Sequence, residues 1–169
     1  MKRLIWILAA GVCVMSCQGN ENVESGFSGR EMVYPLAQGS DYNVHGTVTF
    51  RERNDGTSVV AVTLTGTEGT LEHPVHLHAG DISMPGADVA AQLTPVVGAS
   101  GKSETALVRL SDEMPVTYNE LINMNACVKI HLAASGPDRD IILAGGNIGI
   151  ASTREIALGR SAIGVCKSE

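Results

Sequence analysis

The sequence predicts an all-β fold, an antiparallel sandwich or flattened barrel with one short helical turn, on three observations. Apolar and polar residues alternate with period two over residues 44–144. Gly, Pro, Asn and Asp interrupt that alternation at short, fairly even intervals, as all-β domains require. Only one place carries a helix-start signal: Thr117-Tyr-Asn-Glu120 has the spacing of a capping box ahead of Leu121 and Ile122.

The elements follow in order. Val44–Phe50 and Ser58–Thr65 are β-branched runs joined by the turn residues Asn54, Asp55 and Gly56, which together predict a hairpin. Further strands are expected at Pro74–His78, Ala90–Val97, Glu104–Leu110, Ala126–Ala133 and Ile141–Ala144. Aromatic residues make up 4% of the chain, so the core must be mostly Val, Leu and Ile. Arg154–Leu158 echoes Arg30–Leu36, and the tail is expected as a last strand closing the sheet.

Ahead of these strands, Lys2 and Arg3 precede an uncharged apolar run, Leu4–Val14, too short for a permanent membrane span. Val14-Met-Ser-Cys17 puts an aliphatic and a small residue before a cysteine, which resembles the lipobox of bacterial lipoproteins. The expectation is a signal peptide over 1–16, a lipid-bearing Cys17, and a flexible polar tether over 17–32 leading to one β domain over 33–169. Such a chain would sit in the bacterial cell envelope, lipid-anchored to a membrane and facing the periplasm or the cell surface. Loss of Lys2 and Arg3 takes the formal charge from −6 to −8, which leaves no basic footprint for nucleic acid. Roughly 140 residues then remain, enough for one core. Cys127 and Cys166 are left as a pair in an oxidising compartment, the basis for expecting a disulfide between them.

Three of the five histidines fall together, in His73-Pro-Val-His76-Leu-His78. Residues two apart on a strand share a face, so His76 and His78 project together while Val75 and Leu77 turn inward. Paired imidazoles on a rigid strand suit copper or zinc better than hard cations. In Cys127-Val-Lys-Ile-His131 the same alternation sends Val128 and Ile130 inward and Cys127, Lys129 and His131 outward. If the two strands are neighbours, His131 completes a three-histidine face with an open coordination position. The bland alternative is a set of exposed histidines satisfied by water or a carboxylate. His45 reads as a surface residue, and Met84, Met114 and Met124 as ordinary apolar filler rather than copper ligands.

The order Gly46–Phe50, hairpin, Leu64-Thr-Gly66, HPVHLH, VKIH and Ile142–Ala151 (ILAGGNIGIA) resembles the landmarks of copper/zinc superoxide dismutases. That family reads HGFHVH, VVVH and LACGVIGIA at the corresponding places. Val116–Asn123, with the histidine strand and Gly146–Gly149, is also similar to bacterial CHRD (chordin-type) domains, thought to share the dismutase-like sandwich. The resemblance covers roughly residues 33–151 and implies a Greek-key barrel and three copper ligands, His76, His78 and His131. It makes His73 a structural neighbour of the site rather than a ligand, and Lys129 either a stand-in anion guide or a solvated strand lysine. The departures are as informative. No histidine lies between His78 and His131, so neither the family's bridging histidine nor its zinc site can be built. The family cysteine is Gly145 here, and the position of its active-site arginine is taken by Ile142, with Arg139 nearest. Two functions are therefore expected as alternatives. One is a one-copper, dismutase-like lipoprotein acting weakly or not at all on superoxide or another small anion. The other is a non-catalytic CHRD-like module binding a protein or an extracellular polymer.

Overall fold

The computed structural model describes residues 26–158. The leader, Cys17 and Cys166 lie outside the described residues. Eight antiparallel strands form a closed barrel: β1 (Phe27–Gln38), β2 (His45–Arg53), β3 (Ser58–Thr65), β4 (Glu72–Ala79), β5 (Val89–Val97), β6 (Lys102–Leu107), β7 (Asn125–His131) and β8 (Ile142–Ile148). Their order around the barrel is β1-β2-β3-β6-β5-β4-β7-β8. Two connections, β3 to β4 and β6 to β7, cross over in Greek-key fashion. The second crossover carries the helix α1 (Tyr118–Ile122), and β8 runs into the helix α2 (Gly149–Ala157).

The period-two pattern reaches the interior as expected. Val48, Phe50, Val60, Val62, Val75, Leu77, Val128 and Ile130 point into the barrel and are almost wholly buried. Tyr34 stands edge-on to Phe50 with ring centroids 5.9 Å apart. The β2–β3 hairpin turns at Asn54–Gly56, where Gly56 takes φ +80° and donates its N–H to the Arg53 carbonyl at 2.9 Å. The capping box is present: Thr117 Oγ1 accepts the Glu120 N–H, and the Glu120 carboxylate accepts the Thr117 N–H at 2.8 Å.

Two expectations are overturned. As far as Leu158, the last described residue, the tail does not close the sheet as a strand. Gly149 takes φ +55°, which breaks the extended chain, and residues 149–157 wind into α2, burying Ala151 and Ser152 against β7 and β8. Closure is made instead by β1, whose Ala37 and Gln38 pair with Gly145 and Ala144 of β8. This first strand opens at Phe27, within the stretch expected as a tether. Its first half is exposed and carries no hydrophobic period. Pairing with β2 fixes it, with Arg30 donating to Glu52 Oε1 and to Asn119 Oδ1, each at 2.9 Å. A 3-10 turn at Pro137–Asp140, also unexpected, leads into β8.

Candidate metal centre

β4 lies between β5 and β7, and the β4–β7 register sets His76 opposite Lys129 and His78 opposite Cys127. Opposed residues share a face, so β4 and β7 present His76, His78, Cys127, Lys129 and His131 on the outside of the barrel. Below them Val75, Leu77, Val128 and Ile130 are packed in the core with no exposure, so the backbone under the histidines is rigid. The ladder shifts register at Leu77/His78 on the β5 side and at Ile130/His131 on the β8 side, next to the second and third imidazoles.

The three rings converge. Centroids are 5.7 Å apart for His76–His78, 4.8 Å for His76–His131 and 6.2 Å for His78–His131. One ring nitrogen from each comes within 4.8 Å of the others. Among the described residues this is the one group of three or more His, Cys, Asp or Glu side chains close enough to share an ion.

Hydrogen bonding fixes which nitrogens are available. His78 Nδ1 lies 2.9 Å from the Ala87 carbonyl, and His131 Nδ1 lies 2.8 Å from the Arg139 carbonyl. A carbonyl only accepts, so each Nδ1 carries the proton and each Nε2 is left with a free lone pair. Both Nε2 atoms are buried without a hydrogen-bond partner. Buried polar atoms are normally satisfied, so two unpartnered imidazole nitrogens in one three-histidine cluster mark a group that could hold an ion. Burial, followed by the nearby charges of His131, His78 and Arg139, pushes the His76 pKa down. Burial also lowers that of His78, against the opposing pull of the Ala87 carbonyl. Both shifts favour the neutral ring, the form that binds metal.

The triad opens into a cleft of about 980 Å³ between the loop Gly80–Asp88 and the loop Ala133–Ile141. Pro74, Pro85, Pro95 and Leu93 line its walls, and Gln92, Lys129 and Arg139 add polar groups. Arg139 contributes its carbonyl to His131 while its guanidinium stays largely exposed, 3.7 Å from Asp140.

The remaining sequence candidates fall elsewhere. His73 is buried on the opposite, inward face and bonds through Nδ1 to the Leu132 carbonyl at 3.1 Å, next to His131 in the chain. Lys129 lies beside the triad, half-buried. Cys127 points to the outer face as expected but has no exposure, and burial pushes its thiol up to about 11. Its expected disulfide partner, Cys166, lies outside the described residues. His45, Met84 and Met114 are exposed, and Met124 packs against the core. Sequence reasoning missed the two carbonyls that orient the His78 and His131 rings, because Ala87 and Arg139 are identified only by the loops that carry them. Asn147, buried at 2% exposure in the glycine-rich β8, was also passed over. A lone amide in that apolar run was the available signal.

The fold and site define the chain as a closed eight-stranded antiparallel barrel bearing a three-histidine cluster that could hold a metal. Compared with protein-family models, with curated proteins and with solved structures, the chain matches none.

Proposed function

We propose that this protein is a copper-binding, superoxide dismutase-like lipoprotein of the bacterial cell envelope, held to a membrane through lipid on Cys17. The observation that carries the metal reading is the pair of buried, unpartnered Nε2 atoms of His78 and His131 converging with His76, each fixed by an Nδ1–carbonyl bond. The donor set is all imidazole, which suits both oxidation states of copper, and affinity among first-row divalent ions peaks at Cu(II). When bound, the ion supplies one-electron chemistry at an open coordination position. The chain's own part is to hold three neutral imidazoles rigid and to present a small anion with a cleft bearing Lys129 and Arg139.

Weak turnover follows from the same geometry. Arg139 is 69% exposed and shares its charge with Asp140, so it steers an anion poorly. A second metal, which could hold a ligand in reserve, has no cluster to bind it among the described residues.

Titration with Cu(II), followed by absorbance and EPR, tests the reading. One copper per chain with nitrogen hyperfine structure is expected, lost in a His76→Ala, His78→Ala double variant. Dismutase activity should fall well below that of full copper/zinc enzymes. Absence of imidazole-bound copper in the wild type would favour the CHRD-like binding module instead.

A further inference from the structure

Resting on the metal-centre reading, we propose that Asp81, Ile82 and Asn147 form a latch that positions His78 as a ligand. The loop Gly80–Asp88 leaves β4 immediately after His78 and returns to β5, closed at its base where the Ala79 N–H meets the Asp88 carbonyl at 3.0 Å. It presents the Ala87 carbonyl that holds the His78 Nδ1 proton. What keeps the loop down lies two strands away, on β8.

The cross-strand register is His78–Cys127–Asn147, one residue each from β4, β7 and β8 on the same outer face. Asn147 Nδ2 donates to Asp81 Oδ2 at 3.0 Å, and Asn147 Oδ1 accepts the Ile82 N–H at 2.8 Å. The other Asp81 oxygen accepts from the Ser83 N–H at 2.9 Å and the Ser83 hydroxyl at 2.6 Å, which curls the loop toward its far side. Beside this amide clamp the Ile82 side chain seats over Gly145. A Cβ there would meet Ile82 Cδ1 at 2.8 Å and the Val128 carbonyl at 3.0 Å. Residues 145 and 147 are thus an absent side chain and an amide, and together they receive one loop.

The latch ties a rigid strand to the carbonyl that sets the tautomer of His78. Freed from it, the loop lifts, Ala87 leaves Nδ1, and the ring is able to carry its proton on Nε2, which cannot then bind a metal. Asp81 and Asn147 are positioning residues, since neither is within the ligand group. His131 supplies an internal control, because Arg139 orients it from the other loop.

The test uses Asp81→Ala in the full chain, with nitrogen-15 NMR of the imidazoles in metal-free protein and chelator competition for Cu(II). In the wild type His78 should be a single Nδ1–H tautomer. Asp81→Ala should mix the tautomers of His78 alone and weaken Cu(II) binding about 10–100-fold, the usual size of such outer-sphere losses. Asp81→Asn, which keeps an acceptor for Asn147, should restore both. A merely structural role would lower thermal stability while leaving the His78 nitrogens unchanged, and that result overturns the latch. Should Asp81→Ala fail to fold, Ile82→Ala, which empties the seat over Gly145, must move His78 in the same direction or the proposal fails. The nitrogen spectra require no metal, so they decide the latch even if the wild-type protein binds no copper, a result that overturns only the metal reading.

Discussion

Leu77 lies between His76 and His78 on β4 and points the other way, into the barrel, with no exposure. Its burial and the outward aim of His76 and His78 are one fact, because a strand cannot turn one face without turning the other. Leu77→Ala should therefore cost about 2–5 kcal/mol by cavity formation. It should also loosen metal binding, since the backbone that spaces the imidazoles loses its support. Denaturant unfolding of the metal-free variant reads the first effect and chelator competition the second. A loss below about 1 kcal/mol would mean that the wall has collapsed onto the gap. At this scale the sequence was most legible. The alternation in HPVHLH and VKIH put His76, His78 and His131 on one outer face, where the structure has them, since the side-chain period of a strand is a local property. It could not show the Ala87 and Arg139 carbonyls, because any residue supplies a carbonyl and only the loop path decides which one arrives. Cys127 shows the limit from the other side. Its direction was readable, but its complete burial depends on neighbours brought in from elsewhere in the chain.

The same division runs through the elements. β3 was readable to the residue, and β4, β5 and β7 to within two residues, because each has one buried face. β1 was missed as a strand because its outer half has no buried face, and α2 because a nine-residue helix opening on Gly149 lacks a side-chain cap. By contrast α1 declared itself through Thr117 and Glu120, and those residues carry a prediction. The Glu120 carboxyl is held below its usual range first by the Thr117 N–H and then by the Thr117 hydroxyl. A depressed carboxyl stabilises the fold fully above its unfolded-state pKa, and that contribution disappears as pH falls through the lower folded value. Thr117→Ala should cost about 1 kcal/mol near neutral pH. The difference from wild type should narrow in acid, as Glu120 protonates in both proteins. Urea unfolding at neutral pH and at acid pH checks this. A difference that widens in acid would assign the stabilisation to something other than the capping box.

For the molecule as a whole, closure rather than composition decides where chemistry can sit. The Greek-key path brings β4 and β7 together although 45 residues of chain separate Ala79 from Asn125, and nothing local in the sequence required that neighbourhood. The order of landmarks along the chain implied it, through resemblance alone. An ion at His76, His78 and His131 would pin two strands that join the barrel from opposite sides of the second crossover. The unfolded chain offers no such preformed triad, so the metal must bind the native state preferentially and raise its stability by mass action. At 100 times the dissociation constant the gain is about 2.7 kcal/mol. For a domain of this size that corresponds to about 10 °C in the midpoint of thermal unfolding. Calorimetric scans with Cu(II), and separately with Zn(II), should show the rise, and a chelator should reverse it. The His76→Ala, His78→Ala variant should unfold at the same temperature with and without metal. An equal rise in wild type and variant would place the ion elsewhere on the chain, whatever the spectra of the bound metal suggest.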